Sequence, residues 1–435
     1  MVLSRGQVGR EMSSPGIRAY HMARVLAQAL PNDEVTLAAP NVIDVPPPHP
    51  RVRLAQVGGF NLREMARHDI IISRNFHPQA VLLFLRRTFI LDLFSMLNFE
   101  WMEFGFGQRD KLRRSLWLGA NNRYLNLQLT FADYAIAATE HQRDHWIGMM
   151  WALGLVNPDV YERDPTLEKF VGLVPYGVRP EPPLEQVGRE ALCRAFPGIR
   201  PDDTVLIWNG GIVSWYDPCT AVRAVDRIRR YRDDVKLVFL GLAYPFGGDF
   251  ELGPEVREAI TLARDLGLEG SHVFFNFGWV PYDETMRLVQ EADIGLCTAR
   301  EGMEARYAYR TRFVDLIWAG LPIVCTQGDA LAERVASEPW GVTVAEGDAD
   351  GVVSAVLRLL DDGAFAEECR QNLMRAKDEM QWERTLEPLV DFMRNGHSVA
   401  RAKVTRLPAL LMRMAEYLAL RGLGSLYGRR RSSTA

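Results

Sequence analysis

Short apolar runs alternate along the chain with stretches whose apolar positions recur every three or four residues. Near the start, the run MVLS (Met1–Ser4) is followed by a Gly/Ser/Pro loop and then by GIRAYHMARVLAQAL. There Ile17, Tyr20, Ala23, Ala27 and Leu30 share one helical face. The segments DIIIS (Asp69–Ser73), RTFILDLFSML (Arg87–Leu97) and DYAIAAT (Asp133–Thr139) read as buried strands. The second half repeats the pattern with TVLIWNGG, VKLVFLG, HVFFNFG, DIGLCTA and PIVCT. Strands alternating with helices of about 10–15 residues predict parallel sheets, and two such series predict two doubly wound domains. The border falls in VGLVPYGVRPEPPLEQ (Val171–Gln186), where a strand-like run meets Pro175–Gly177 and a stiff proline-rich connector. The expected division is 1–177, 178–395 and a tail at 396–435. Ligands of open α/β sheets bind outside the carboxyl ends of the strands, so two such sheets are expected to face an interdomain cleft.

The 435 residues suit two or three domains at about 100–200 residues each. With 48% hydrophobic and 24% charged residues, large-scale disorder and a disulfide-stapled miniprotein are excluded. A net charge of −4 argues against a whole-chain nucleic-acid binder. The charge is uneven, since residues 396–435 hold eight basic residues and one acidic residue, Glu416. This predicts an anionic surface as a partner of the tail. The run LPALLMRMAEYLAL (Leu407–Leu420), flanked by Arg406, Arg421 and Arg429–Arg431, suits either a helix lying on anionic lipid or a last helix packed back on the first domain. The Trp-, Phe- and Arg-rich stretch Phe99–Gly119 is a second membrane-facing candidate. Five scattered cysteines without C-x-x-C spacing disfavour a disulfide framework and a zinc site. With no secretory signal and no apolar run of the roughly 20 residues needed to cross a bilayer, the expected location is cytoplasmic, with peripheral contact at the inner face of the cell membrane. The first strand is short, which leaves room for a start further upstream.

Three segments carry candidate chemistry. The loop GQVGREMSSPGIR (Gly6–Arg18) follows the first strand and opens a helix. Its glycines permit close ligand approach, and the helix N-terminus offers N–H groups to anions, with Arg18 in the first turn. Lacking G-x-G-x-x-G spacing, it is not expected to hold a dinucleotide. The segment IWNGGIVSWYDP (Ile207–Pro218) offers backbone access at Gly210 and Gly211, and flat faces at Trp208, Trp215 and Tyr216. In EGMEARYAYRTRFVDLIWAGLPIVCT (Glu301–Thr326), Arg306, Arg310 and Arg312 surround Thr311 at a helix start, and Asp315 follows one turn on. Cations there oppose the helix dipole, a placement that suits a bound anion, and Arg forks match phosphate oxygens. A solvated charged face is the plainer alternative.

In order along roughly Met1–Asp391, several pieces resemble the GT-B glycosyltransferases of family 4 (group 1), which use nucleotide-sugar donors. These are MSSPGIRAYHMARVLA, DYAIAATEHQRDHW, VPYGV, VFFNFGWVPYDE and DLIWAGLPIVCT. The string RTRFVDLIWAGLP is similar to that of a subgroup. The resemblance implies two Rossmann-like domains, the first binding an acceptor and the second the donor. It implies transfer of a hexosyl-type sugar from a nucleoside-diphosphate sugar to an acceptor hydroxyl, with retention, in cell-surface glycan or glycolipid assembly. The acceptor would be a glycan or a lipid-linked species, and no metal or other cofactor would be needed.

Carried onto this sequence, Gly278, Trp279, Val280 and Tyr282 would shape the base pocket. Gly210, Gly211 and Thr311 would line the diphosphate site, and Asp315 would hold the ribose. Arg310 and Arg312 would stabilise the leaving diphosphate. The family's first Glu falls on Tyr307, leaving Glu304 or Glu301 as the carboxylate near the sugar. The family's Arg and Lys after the first strand of the second domain correspond to Gly211 and Tyr216. That loss of cations leaves two further readings open, a degenerate sugar-nucleotide-binding scaffold and a sugar-nucleotide epimerase. On the acceptor side, Ser14, Gly16, Arg18 and His141 face the expected ligand edge, while His21 on the first helix is expected to be structural.

Overall fold

The computed structural model describes every residue except 58–61, 106–109, 185–186, 243–251, 396–402 and 433–435. Residues 106–109 of the stretch Phe99–Gly119, Glu185 and Gln186 of the connector, and Arg401 of the tail lie outside the described residues.

The chain forms two units. The first comprises Met1–Gly9, Ser13–Pro175 and Thr385–Ala435, the second Arg10–Met12 and Tyr176–Arg384. The first holds a seven-stranded sheet: β1 (Val2–Leu3), β2 (Val35–Ala39), β3 (Val52–Gln56), β4 (Ile70–Ser73), β5 (Thr88–Asp92), β6 (Tyr134–Ala137) and β7 (Val171–Leu173). Its order is β3-β2-β1-β4-β5-β6-β7, with every pairing parallel. The second holds six parallel strands: β8 (Thr204–Trp208), β9 (Val235–Phe239), β10 (Val273–Phe275), β11 (Ile294–Cys297), β12 (Ile323–Thr326) and β13 (Gly341–Val344). Their order is β10-β9-β8-β11-β12-β13. Both units are doubly wound α/β sheets, as the alternation predicts. In each, the strand order reverses once, between β1 and β4 in the first and between β8 and β11 in the second. A reversal opens a crevice at the carboxyl ends of the strands.

The inner strands are mostly apolar, because a parallel sheet is covered on both faces. β9 and β11 are buried along their whole length. In the first unit, Phe76, Phe89 and Phe131 form edge and tilted ring pairs with centroids 4.3–5.5 Å apart.

The division differs from the expected borders at the far end of the chain. Residues 385–395, expected to close the second domain, group with the first unit. Phe392 stacks on Tyr134 of β6, with ring centroids 4.1 Å apart and planes 4° from parallel. The tail forms one helix, Lys403–Ser432, which packs along the helix Lys111–Phe131 of the first unit. Of its two expected uses, packing back is present, with Leu410 and Tyr417 buried. Lys403 and Arg406 anchor its start. Both pair with the buried Asp133, at 2.7 and 2.6 Å, and Lys403 also donates to the Phe84 carbonyl at 2.9 Å.

Candidate donor site at the end of strands β8 and β11

Asn209–Gly211 leave β8 at the reversal point of the second sheet. Gly210 has φ +89°, a backbone region that strains any side chain bearing a Cβ. Gly241, just past β9, lies against this turn. A Cβ there would sit 3.4 Å from the Gly210 carbonyl carbon and 3.4 Å from the Trp279 ring, so the absence of side chains lets three segments converge.

The helix Thr311–Ala319 meets this turn from the other side and ends at Gly320. Arg312, buried at its start, donates to the Gly211 carbonyl at 2.7 Å. Its guanidinium lies 3.9 Å from the Tyr216 ring centroid and 5.1 Å from that of Trp208. Its Nη1 has no partner among the described residues, while the Cys297 thiol interacts with the Arg312 side chain both electrostatically and through a hydrogen bond. Asn209 is buried and bonds both the Arg312 carbonyl and the Asp315 carboxylate, each at 3.0 Å, while its Oδ1 is unpartnered. Unsatisfied buried polar atoms are costly. Two of them lie here on adjoining side chains.

Asp315 is pushed up to about 7 by burial, against the lowering effects of Asn209, Arg179 and Arg312. Tyr282 lies in its field, and burial raises the phenol above its usual range. Arg179 sits 5.0 Å from the Tyr282 ring and 5.4 Å from the Trp318 ring, held by Glu181 and Asp283, both at 3.0 Å. Gly210, Gly211, Trp279, Tyr282, Arg312 and Asp315 are thus brought together. Gly278 is exposed in the turn after β10, its N–H bonded to Asn276 at 3.3 Å, and the Val280 carbonyl accepts from Thr285. Thr311 opens the arginine-bearing helix and is half-buried.

Arg310 and Glu304 behave differently from Arg312. The Arg310 guanidinium is held in a two-pronged bond by Glu304 at 3.0 and 2.7 Å, with Asp329 3.8 Å from its Nε. All three side chains are buried. Burial pushes Asp329 up to about 6, opposed by Arg310, and the carboxylate caps the next helix at Leu331 and Ala332. Glu304 therefore supplies the negative charge that balances an arginine at a helix start. Glu301 and Arg306 are exposed. Of the candidate cations, Arg312 is the buried one with a guanidinium nitrogen turned to the glycine turn.

In the first unit, Arg18 is 1% exposed and fully employed. It grips Asp92 at 2.8 and 3.0 Å and donates to the carbonyls of Val174 and Pro175. It fastens the ends of β5 and β7 and offers no free fork to a ligand. Ser14 and Gly16 form the first turn of the helix Ser14–Ala29. His141 is exposed at the start of the helix Glu140–Ala152, and His21 is buried. Sequence reasoning missed Asn209, Arg179 and Gly241. Asn209 stood beside the singled-out glycines, whereas the other two are placed by strand order alone. No group of three or more His, Cys, Asp or Glu able to hold a metal occurs among the described residues.

Residues 203–362 match the family model described as glycosyl transferases group 1. No curated protein sequence matches the chain. Among solved structures, WaaG, a glycosyltransferase involved in lipopolysaccharide biosynthesis, is similar with TM-score 0.61 at 17% identity, covering 91% of this chain and 100% of WaaG. Anabaena HepE in complex with UDP-glucose gives 0.59 at 14% identity, with 91% and 98% covered. Sucrose-phosphate synthase from Thermosynechococcus elongatus gives 0.59 at 16%, again with 91% and 98% covered. The fold is GT-B. The matched model spans all six strands of the second sheet, including the glycine turn and the arginine-bearing helix.

Proposed function

We propose that the chain is a glycosyltransferase that takes a sugar from a nucleoside-diphosphate donor held by the second unit. The observation that carries this is the buried Arg312 guanidinium bonded to the Gly210–Gly211 turn through Nη2, with Nη1 unpartnered among the described residues and Asp315 one turn along the same helix. A guanidinium and the backbone amides of a glycine turn suit a diphosphate, and a carboxylate suits ribose hydroxyls. Arg312 would neutralise charge as the diphosphate leaves, the step at which preorganised donors act most strongly. Glu304 and Arg310 then serve as positioning residues that fix the start of the helix, and the diphosphate rests on one arginine. Trp279 and Tyr282 would flank the base. The match to group 1 transferases and the UDP-glucose bound in HepE support a UDP donor as the first to try.

On the same reading the sugar is a hexose, transferred with retention and without a metal to a glycan or lipid-linked acceptor presented by the first unit. The protein works in the cytoplasm, in cell-surface glycan or glycolipid assembly, with its tail helix touching the inner face of the membrane. Titration with UDP, GDP, dTDP and ADP, followed by NDP release from the matching sugars with an acceptor pool, tests this. If no nucleotide binds, the reading falls. Anomeric configuration of the product by NMR tests retention. A second reading, a sugar-nucleotide-binding scaffold, draws support from the pairing of Arg310 with Glu304, which removes one expected cation from the diphosphate. Nucleotide binding without NDP release in the presence of acceptors would favour it.

A further inference from the structure

The reversal point of the first sheet carries its own cations, and among the described residues no carboxylate pairs with them. β1 ends at Leu3 and is followed by Ser4 and Arg5. Its neighbour β4 ends at Ser73 and is followed by Arg74 and Asn75. A cavity at these strand ends is lined by Ser4, Arg5, Pro15, Ser73, Arg74 and Asp92, among others. Asp92, its carboxylate, is already gripped by Arg18. Arg5 donates to Asn75 Oδ1 at 2.6 Å, and Arg74 to the Ser95 hydroxyl while lying 4.8 Å from the Phe94 ring. These partners are neutral and orient the two guanidinium groups without discharging them.

A third cation approaches from the tail helix. Arg421 donates to the Tyr417 hydroxyl at 3.0 Å, and the Tyr417 ring lies 5.3 Å from that of Tyr124. Arg5 and Arg421 both act on Tyr124 and on His77, whose imidazole is held below its ordinary value by burial first and then by these two arginines. The hydroxyl of Ser73, a residue 3% exposed, has no hydrogen-bond partner among the described residues. The helix Ser14–Ala29, whose second residue Pro15 lines the cavity, adds the positive end of its dipole, and its N-cap Ser13 makes no side-chain cap bond. Like charges gathered without a counter-charge raise the energy of the folded state unless an anion joins them. Several guanidinium forks with a spare hydroxyl match the many acceptor oxygens of a phosphate.

We propose that this crevice binds a phosphate group carried by the acceptor, either a phosphate ester on a sugar or the phosphate of a lipid headgroup. Its role toward an acceptor rests on the transferase reading above, whereas its affinity for phosphate does not. The site lies within the first unit, and Arg5, Arg74 and Ser73 are its core.

The test uses the full chain and four probes: glucose 6-phosphate, glucose, vesicles of phosphatidylcholine alone, and vesicles containing phosphatidylglycerol. UDP is titrated in parallel. Glucose 6-phosphate or the anionic vesicles should bind while glucose and neutral vesicles do not, and whichever of the two binds identifies the source of the phosphate. The double variant Arg5→Ala/Arg74→Ala should weaken that binding by about tenfold or more and leave UDP affinity unchanged. Arg5→Ala alone, at an exposed position, repeats the measurement without disturbing the core. The proposal is overturned if neither phosphate-bearing probe binds, or if the variants bind as tightly as the parent. If UDP fails to bind while a phosphate probe binds through Arg5 and Arg74, the anion site stands and the donor reading is what fails.

Discussion

Arg310 and Arg312 are two positions apart, both buried, and do different work. Arg310 shares its charge with Glu304 inside the protein, so removing it leaves a buried carboxylate unpaired. Arg310→Ala should therefore cost about 3–5 kcal/mol of stability, read as a shift in the urea unfolding midpoint. Arg312 has one carbonyl partner, and its Nη1 has no hydrogen-bond partner among the described residues. Arg312→Ala should weaken UDP binding by about tenfold or more, the size of a lost charge-assisted bond, with a much smaller change in unfolding midpoint. Equal effects of the two variants on both readouts would contradict the assignment.

Asp315 gives a second residue-scale test. Its folded value is raised to about 7 from the ordinary carboxylate range near 3.8. Between those values the folded state holds a proton that the unfolded state has released. Stability contributed by this group therefore falls as pH rises from about 4 to about 7, and is level above that. Asp315→Asn should flatten that part of the stability profile, measured by denaturant unfolding across pH. UDP affinity of the parent should rise as pH passes upward through 7, because the carboxylate accepts ribose hydroxyls better than the acid does. A pH-independent affinity would remove Asp315 from the ribose role.

At the scale of elements, the anchoring of the tail helix turns on one carboxylate. Asp133 accepts the Phe89 amide at 2.9 Å together with Lys403 and Arg406. Burial lowers the Lys403 ammonium below its ordinary value, and Asp133 opposes that shift. Asp133→Asn leaves two cations without their counter-charge and should cost about 3–5 kcal/mol, with hydrogen exchange accelerating across the helix Lys403–Ser432. The strands illustrate how far elements were legible. β4, β6, β8, β9 and β11 show as apolar runs because both sheet faces are covered. β2, β3 and β13 escaped notice. VRLAQ in β3 is buried at Val52 alone, and a half-covered edge strand of five residues carries too few apolar positions to stand out.

At the scale of the whole molecule, the first unit is built from both ends of the chain. Residues 385–435 return to it after the second unit is complete. Removal of 403–435 should uncover the helix Lys111–Phe131 and lower the thermal midpoint of the first unit, while UDP binding, built from residues of the second, stays within about twofold. Loss of both together would show that the donor site depends on the tail helix. No helix among the described residues is long and apolar enough to cross a membrane. The tail helix nevertheless keeps Leu411, Met412, Leu418 and Leu423 exposed, as the proposed membrane contact requires.

Local pattern alone determined the two parallel sheets, the glycine turn after β8, the helix ending at Gly320 and the basic character of the tail, because each rests on residues close together in sequence. The partners of the charges were decided by tertiary structure. Arg18, Arg310 and Arg312 look alike as letters, each an arginine at a helix start. The chain brings Asp92 to the first and Glu304 to the second, and to the third a backbone carbonyl and two aromatic ring faces but no close carboxylate partner among the described residues. Which cation stays available to a ligand depends on distances across 6 to more than 150 positions of sequence, and those follow from strand order and packing.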